Sequence, residues 1–166
     1  MSSYSKRDYK HLNAACGYAQ LGLYQDAKVE LDQLSDDCTD EEDIMSLSLW
    51  VHQELNEWET SLKLAEALSQ RNPDEPNWFI AWAYSARRFL SIYKAEEILE
   101  RAMEQHPKHA MIQFNLGCYA SILGNQKKAS KLIKDAIKLD ASYEKLARED
   151  PDLEGLRKSD EFLNGS

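Results

Sequence analysis

No stretch of this chain approaches the run of about eighteen apolar residues that a membrane-crossing helix needs, so a membrane partner is not expected. The opening residues, MSSYSKRDYK, have no apolar core and do not read as a secretory signal. Cysteine is scarce: Cys16, Cys38 and Cys118 form no C-x-x-C pair. An odd, scattered set points away from a disulfide framework or a zinc site and toward a reducing compartment, so a cytoplasmic location is expected. Basic residues are outnumbered, 20 Lys and Arg against 29 Asp and Glu, for a net charge of −9. Phosphate backbones are held by basic patches, so nucleic acid is not an expected partner. There is no Gly-rich phosphate loop, no G-x-S-x-G and no H-E-x-x-H, so neither an enzyme nor a cofactor is expected.

Two clusters invite a metal reading, and neither sustains it. The run Asp36 to Asp43 lacks the central glycine and alternate-ligand spacing of a calcium loop, and its Thr39-x-x-Glu42 reads as a capping box. His106 and His109 flank Pro107, which puts them in a turn rather than on one helix face.

What the chain does have is periodicity. With 166 residues, 43% hydrophobic and 30% charged, it is globular in composition. Residues 110–141 carry two helical patterns, one through Phe114, Leu116, Gly117, Ala120 and Leu123, the other through Ala129, Ile133, Ala136 and Ile137, with Gly124-Asn125 between them. Small residues at Gly117, Ala120, Ala129 and Ala136 let two helix backbones approach closely. The pattern recurs every 34 residues: Ala27, Ser61, Ala95 and Ala129; Leu21, Leu55, Phe89 and Leu123; Leu31, Ala65, Leu99 and Ile133; Pro73 and Pro107. Asn56 stands where the turn glycine would be, and Asn also accepts a left-handed backbone. Trp58 falls in the place of Tyr24, and Phe79, Trp82 and Phe89 read as core.

The spacing Gln113-x2-Leu116-Gly117-x2-Ala120, then Ala129-x3-Ile133, resembles the tetratricopeptide repeat, with Gln and Ala where aromatic residues usually stand. The resemblance implies an all-α, right-handed α-solenoid of four helix pairs, at about 8–41, 42–75, 76–109 and 110–143, within residues 1–143. Residues 144–166 then form a capping segment: a ninth helix through Tyr143, Leu146 and Ala147, and a short helical tail opened by Asp150-Pro151, with Leu153, Leu156, Phe162 and Leu163 as its apolar residues. Asp-Pro-Asp-Leu-x-x-Leu-Arg resembles a closing segment that follows such repeats in many bacterial members of the family.

The family lines its concave groove with the first helix of each pair. Carried over by register, the resemblance places Tyr9, Leu12, Cys16, Trp50, Ile80, Tyr84, Arg87, Arg88, Met111, Phe114 and Cys118 in that groove. Trp50 and Tyr84 are expected as adjoining walls of one apolar channel, with Arg87 and Arg88 as its main cations. The Lys/Arg/Asn clamp by which one subclass grips chaperone tails is missing. Its places hold Leu12, Cys16, Leu47, Asn77 and Ala81, or one repeat later Ser46, Trp50, Ala81, Met111 and Asn115, with no Lys or Arg in either frame. The expected function is a non-catalytic interaction module that holds an extended, largely apolar segment of a protein partner. A secretion-type chaperone for an unfolded client and a self-assembling scaffold are the alternatives; the apolar groove could also be covered by a second copy of the chain in a homodimer.

Overall fold

The structure, a computed structural model, describes residues 4–159, which leaves Phe162 and Leu163 of the expected tail outside the described residues. All regular structure among these residues is helical. The chain divides into two compact units at Phe89/Leu90. The first holds α1 (Lys6–Gln20), α2 (Tyr24–Leu31), α3 (Glu42–Glu54), α4 (Trp58–Arg71) and α5 (Pro76–Phe89). The second holds α6 (Ile92–Gln105), α7 (Ala110–Ile122), α8 (Gln126–Leu139), α9 (Tyr143–Glu149) and α10 (Glu154–Ser159). No helix among the described residues is long and apolar enough to cross a membrane.

Chain reversals follow the local chemistry. Gly22 and Gly124 adopt φ of +75° and +83°, and Asn56 takes the equivalent place at +59°. The third equivalent is Leu90, which avoids the left-handed region as a side chain with a Cβ should. There Ser91 caps α6 instead, its Oγ accepting the Lys94 N–H. This turn is where the two compact units meet in sequence. At the start of α1, Ser5 Oγ accepts the Asp8 N–H. The buried Asp8 carboxylate in turn accepts the N–H and hydroxyl of Ser35, tying α1 to the segment after α2. The Ser5 hydroxyl and the Ser35 N–H hold the Asp8 carboxyl below its ordinary pKa.

The expected capping box at Thr39 and Glu42 does not form. Thr39 Oγ1 donates to the Asp36 carbonyl and closes a 3₁₀ turn over Asp36–Cys38, while Glu41 stands at the N-cap of α3 without a side-chain bond. Thr39 has helical φ and ψ of −64° and −21° and lies two residues before the N-cap, so its side chain is not at the capping position.

In the first unit, α1 packs on α2, α3 on α4, and α4 on α5. Ala15, Ala19, Ala27, Leu31, Ile44 and Val51 form a buried cluster, with Leu12, Tyr24 and Leu47 packed on its edge. Phe79 and Trp82 are buried, as expected. Phe89 is not; it ends α5 at the turn and is 45% exposed. Lys28 of α2 bonds both oxygens of Glu57 at 2.6 and 2.8 Å, and His52 Nδ1 of α3 lies 2.5 Å from Glu57 Oε2. The Lys28 ammonium is the main reason the Glu57 carboxyl sits below its ordinary pKa, with His52 adding to it against partial burial.

In the second unit, α7 packs on α8, and the C-terminal segment lies against both. Pro151–Leu153 forms a 3₁₀ turn on α7, with Asp150 as its N-cap and proline in the first turn. Leu153 and Leu156 are fully buried there, worth about 1.5–3 kcal/mol each. Arg157 donates to the carbonyls of Ala147 and Asp150, which closes the segment on itself.

Gly117 lies at a close approach of α7 and α8. A Cβ there would lie 2.6 Å from Ile133 Cδ1 and 3.4 Å from the Ile133 backbone nitrogen. Ile133 is itself fully buried, so its side chain can give way only against packed neighbours. Gly17, in α1, has nothing within 4 Å of such an atom. Gly117→Ala is therefore expected to cost about 1–3 kcal/mol, and Gly17→Ala to add about 0.5–1 kcal/mol by restricting the unfolded chain. Urea melts of the two variants check this; changes of the same sign would contradict it.

Glu57→Gln is expected to destabilise the chain at neutral pH. A carboxyl with a lowered folded pKa contributes fully above its unfolded value, about 4.3, and loses that contribution as pH falls through the folded value. The gap between wild type and variant should thus close on acidification. A gap as wide at about pH 2 as at about pH 7 would contradict the role assigned to Glu57.

Candidate interaction groove

Two hollows lie side by side between α3, the start of α4, and α5. The larger, of about 590 Å³, has Gln53, Glu54, Asn56 and Trp58 on one wall and Asn77, Ile80, Ala81, Tyr84 and Arg88 on the other. The smaller, of about 340 Å³, is more apolar, with Leu47, Leu49 and Trp50 from α3 facing Trp78 and Ala81 from α5. Gln53 and Ala81 border both. The Gln53 amide donates to the Ala81 carbonyl at 3.3 Å and to Ser85 Oγ at 3.2 Å, so a hydrogen-bonded sill separates the hollows. The indole N–H of Trp78 is buried without an acceptor.

Aromatic rings set the walls. Tyr24 meets Trp50 edge-on with centroids 5.9 Å apart, and Trp58 meets Tyr84 in the same way at 5.8 Å. Both pairs join the first residue of a second helix to a groove position of the next first helix, one period apart. Such pairs contribute about 0.5–1.5 kcal/mol beyond burial. The Arg88 guanidinium lies 3.5 Å from the Tyr84 ring centroid and 4.9 Å from that of Trp58. Stacking holds this cation in place while leaving it exposed at the mouth of the larger hollow. Trp50 and Tyr84 remain 38% and 41% exposed.

Of the groove residues expected from the sequence, the structure brings Trp50, Ile80, Tyr84 and Arg88 to these two hollows. Arg87 is half-buried and lines neither. On α1, Tyr9 is exposed, Leu12 packs on the core cluster, and Cys16 is half-buried. Burial, and then the Asp43 carboxylate, push the Cys16 thiol above its ordinary pKa, away from the reactive thiolate. In the second unit, Met111 is exposed, but Phe114 and Cys118 are only 5% and 4% exposed. The expectation that these two line an open groove is corrected: the C-terminal segment covers them. The Phe114 ring lies 4.9 Å from that of Tyr143, and the Cys118 thiol faces the Asp150 carboxylate at 3.9 Å. Sequence reasoning missed Trp58 and Trp78 as wall residues, while Gln53 falls in the same register series as Arg87 and was expected in the groove. The register of Trp58 with Tyr24 was the available signal for the first.

Among the described residues, no three His, Cys, Asp or Glu side chains are placed to hold a metal ion. No family model and no curated protein matches this sequence. Solved structures do match its fold. The protein MamA (residues 41 to the end, from Desulfovibrio magneticus RS-1) superposes with a TM-score of 0.73 at 11% identity, over 98% of this chain and 96% of that one. TTC0263, a tetratricopeptide-repeat protein of Thermus thermophilus, gives 0.65 at 15% identity, over 95% of each chain. YrrB, described as a tetratricopeptide-repeat protein with an unusual peptide-binding site, gives 0.70 at 17% identity, over 81% of this chain and 69% of that one. The fold is that of the tetratricopeptide repeat. In that frame α1 and α2 are one helix pair, α3 and α4 the next, and α7 and α8 another, and the two hollows lie between the first helices α3 and α5.

Proposed function

We propose that this chain is a non-catalytic interaction module that takes an extended segment of a partner protein along the α3–α5 hollows. The observation that carries this reading is the pair of half-exposed rings, Trp50 and Tyr84, one at each hollow, with the stacked Arg88 beside the second. Exposed aromatic surface within a concavity is costly to leave in water and marks a binding face. An apolar side chain of the partner suits the hollow at Trp50 and Trp78. A carboxylate suits the exposed face of Arg88. The exposed Asn77 amide carries both a donor and an acceptor for a peptide bond. The peptide-binding site described for YrrB on the same fold supports this reading.

The test is selection from a random peptide library against the intact protein, followed by titration of the selected peptides. Trp50→Ala and Tyr84→Ala are each expected to weaken binding by about thirtyfold, the equivalent of about 2 kcal/mol. Arg88→Glu should weaken it most at low salt. Trp82→Ala serves as the contrast, since this buried ring should cost about 3–5 kcal/mol of stability. Unchanged affinity in both groove variants would place the partner elsewhere. Melting of both as severe as that of Trp82→Ala would make the rings structural.

A further inference from the structure

The acidity of this chain is unevenly placed. Residues 1–89 hold sixteen Asp and Glu against eight Lys and Arg, while residues 90–166 hold thirteen against twelve. Residues 29–62 contain eleven acids and no Lys or Arg. Against this background, α8 carries Lys127, Lys128, Lys131, Lys134 and Lys138 with Asp135 as its only acid. Spacings of four, three and four put Lys127, Lys131, Lys134 and Lys138 on one stripe, about 16 Å long at 1.5 Å per residue. Lys128 points off that stripe and is already held by Glu96 at 2.7 Å and Glu100 at 2.5 Å. Lys127 and Lys131 are exposed, and Lys138 is exposed and pairs with Asp135 at 3.2 Å.

The repeat itself supplies the comparison. One period earlier the same four places hold Tyr93, Glu97, Glu100 and Glu104. Before that they hold Glu59, Lys63, Glu66 and Gln70, and first Gln25, Val29, Asp32 and Asp36. The helix pair thus accepts acidic or neutral residues at this position, and packing does not require lysine. A solvated face would serve equally well with either sign. A stripe of one sign, opposite to that of the rest of the chain, points to a complementary surface.

We propose that the α8 stripe docks a second copy of this chain, through the exposed carboxylates around its 3₁₀ turn, Asp36, Asp37, Asp40 and Glu41. Charge complementarity selects this occupant: the four carboxylates are exposed, and Arg71, which reaches the turn, bonds the Asp40 carbonyl rather than a carboxylate. The contact joins different patches on the two copies, so every copy offers both halves of it. Assembly should grow with concentration and dissolve with salt.

The test is analytical ultracentrifugation of the full chain at low and high salt. Wild type is expected to self-associate at low salt. A stripe variant, Lys127→Glu, Lys131→Glu and Lys138→Glu, should weaken association about tenfold or more, as should a turn variant, Asp36→Lys, Asp37→Lys and Asp40→Lys. Mixing the two should restore it, since each then offers the patch the other lost. Circular dichroism checks that both fold, and the milder pair Lys127→Gln and Lys131→Gln should shift association in the same direction. A wild type that stays monomeric at every concentration overturns the proposal, as does association indifferent to the stripe. Lysine-dependent binding of single-stranded DNA by a monomer would overturn it too, by making the stripe a polyanion site.

Discussion

Close approach of helix backbones is the constraint on which the rest depends. Fully buried alanines stand at Ala15, Ala27, Ala65, Ala83, Ala95, Ala120, Ala129 and Ala136, and at Gly117 even a Cβ would press on Ile133. No large side chain fits where these helices cross. Phe79 and Trp82 still enter the core, while Trp50 and Tyr84 are displaced to the edges of the crossings and stay part-exposed. Tyr24 with Trp50 and Trp58 with Tyr84 are the result, and the walls of the groove are by-products of how the helices pack. A ring in this position contributes to cohesion and, on the proposed reading, to recognition as well.

This arrangement explains which parts of the molecule were legible in the sequence. Small residues recurring every 34 positions report helix crossings directly, so the helix order and the positive-φ turns at Gly22, Asn56 and Gly124 could be read in advance. Periodicity identifies equivalent positions, however, and says nothing of their depth. Leu21 and Phe89 belong to one series with Leu55 and Leu123, yet the first two are exposed at 75% and 45% while the others are half-buried. Phe114 and Cys118 were misjudged for a related reason. What buries them is the segment from Tyr143 to Leu156, which lies outside the repeating pattern and has no register to be read from. Thr39 illustrates a third limit: a 3₁₀ turn extends over the expected cap, and the N-cap falls two residues later, at Glu41.

Electrostatics adds a second layer to the same scaffold. Outward positions of the second helices are free of packing demands, so their charge can differ from repeat to repeat, and it does. Carboxylates dominate α6 and lysines dominate α8 at identical places. The inner face varies under tighter limits, since each groove side chain also touches a neighbour, as Gln53 does with Ala81 and Ser85. On the proposed reading, recognition is divided between a packed aromatic groove and a variable charged exterior.

The most direct measurement on the groove is an NMR titration of the four indole N–H signals with a selected peptide. Trp50, Trp58 and Trp78 line the hollows, and Trp82 lies in the core. The account predicts that the first three signals move, Trp78 most clearly as its N–H gains an acceptor, while Trp82 stays in place. A titration that moves Trp82 alone, or that leaves all four unchanged at saturation, would contradict it.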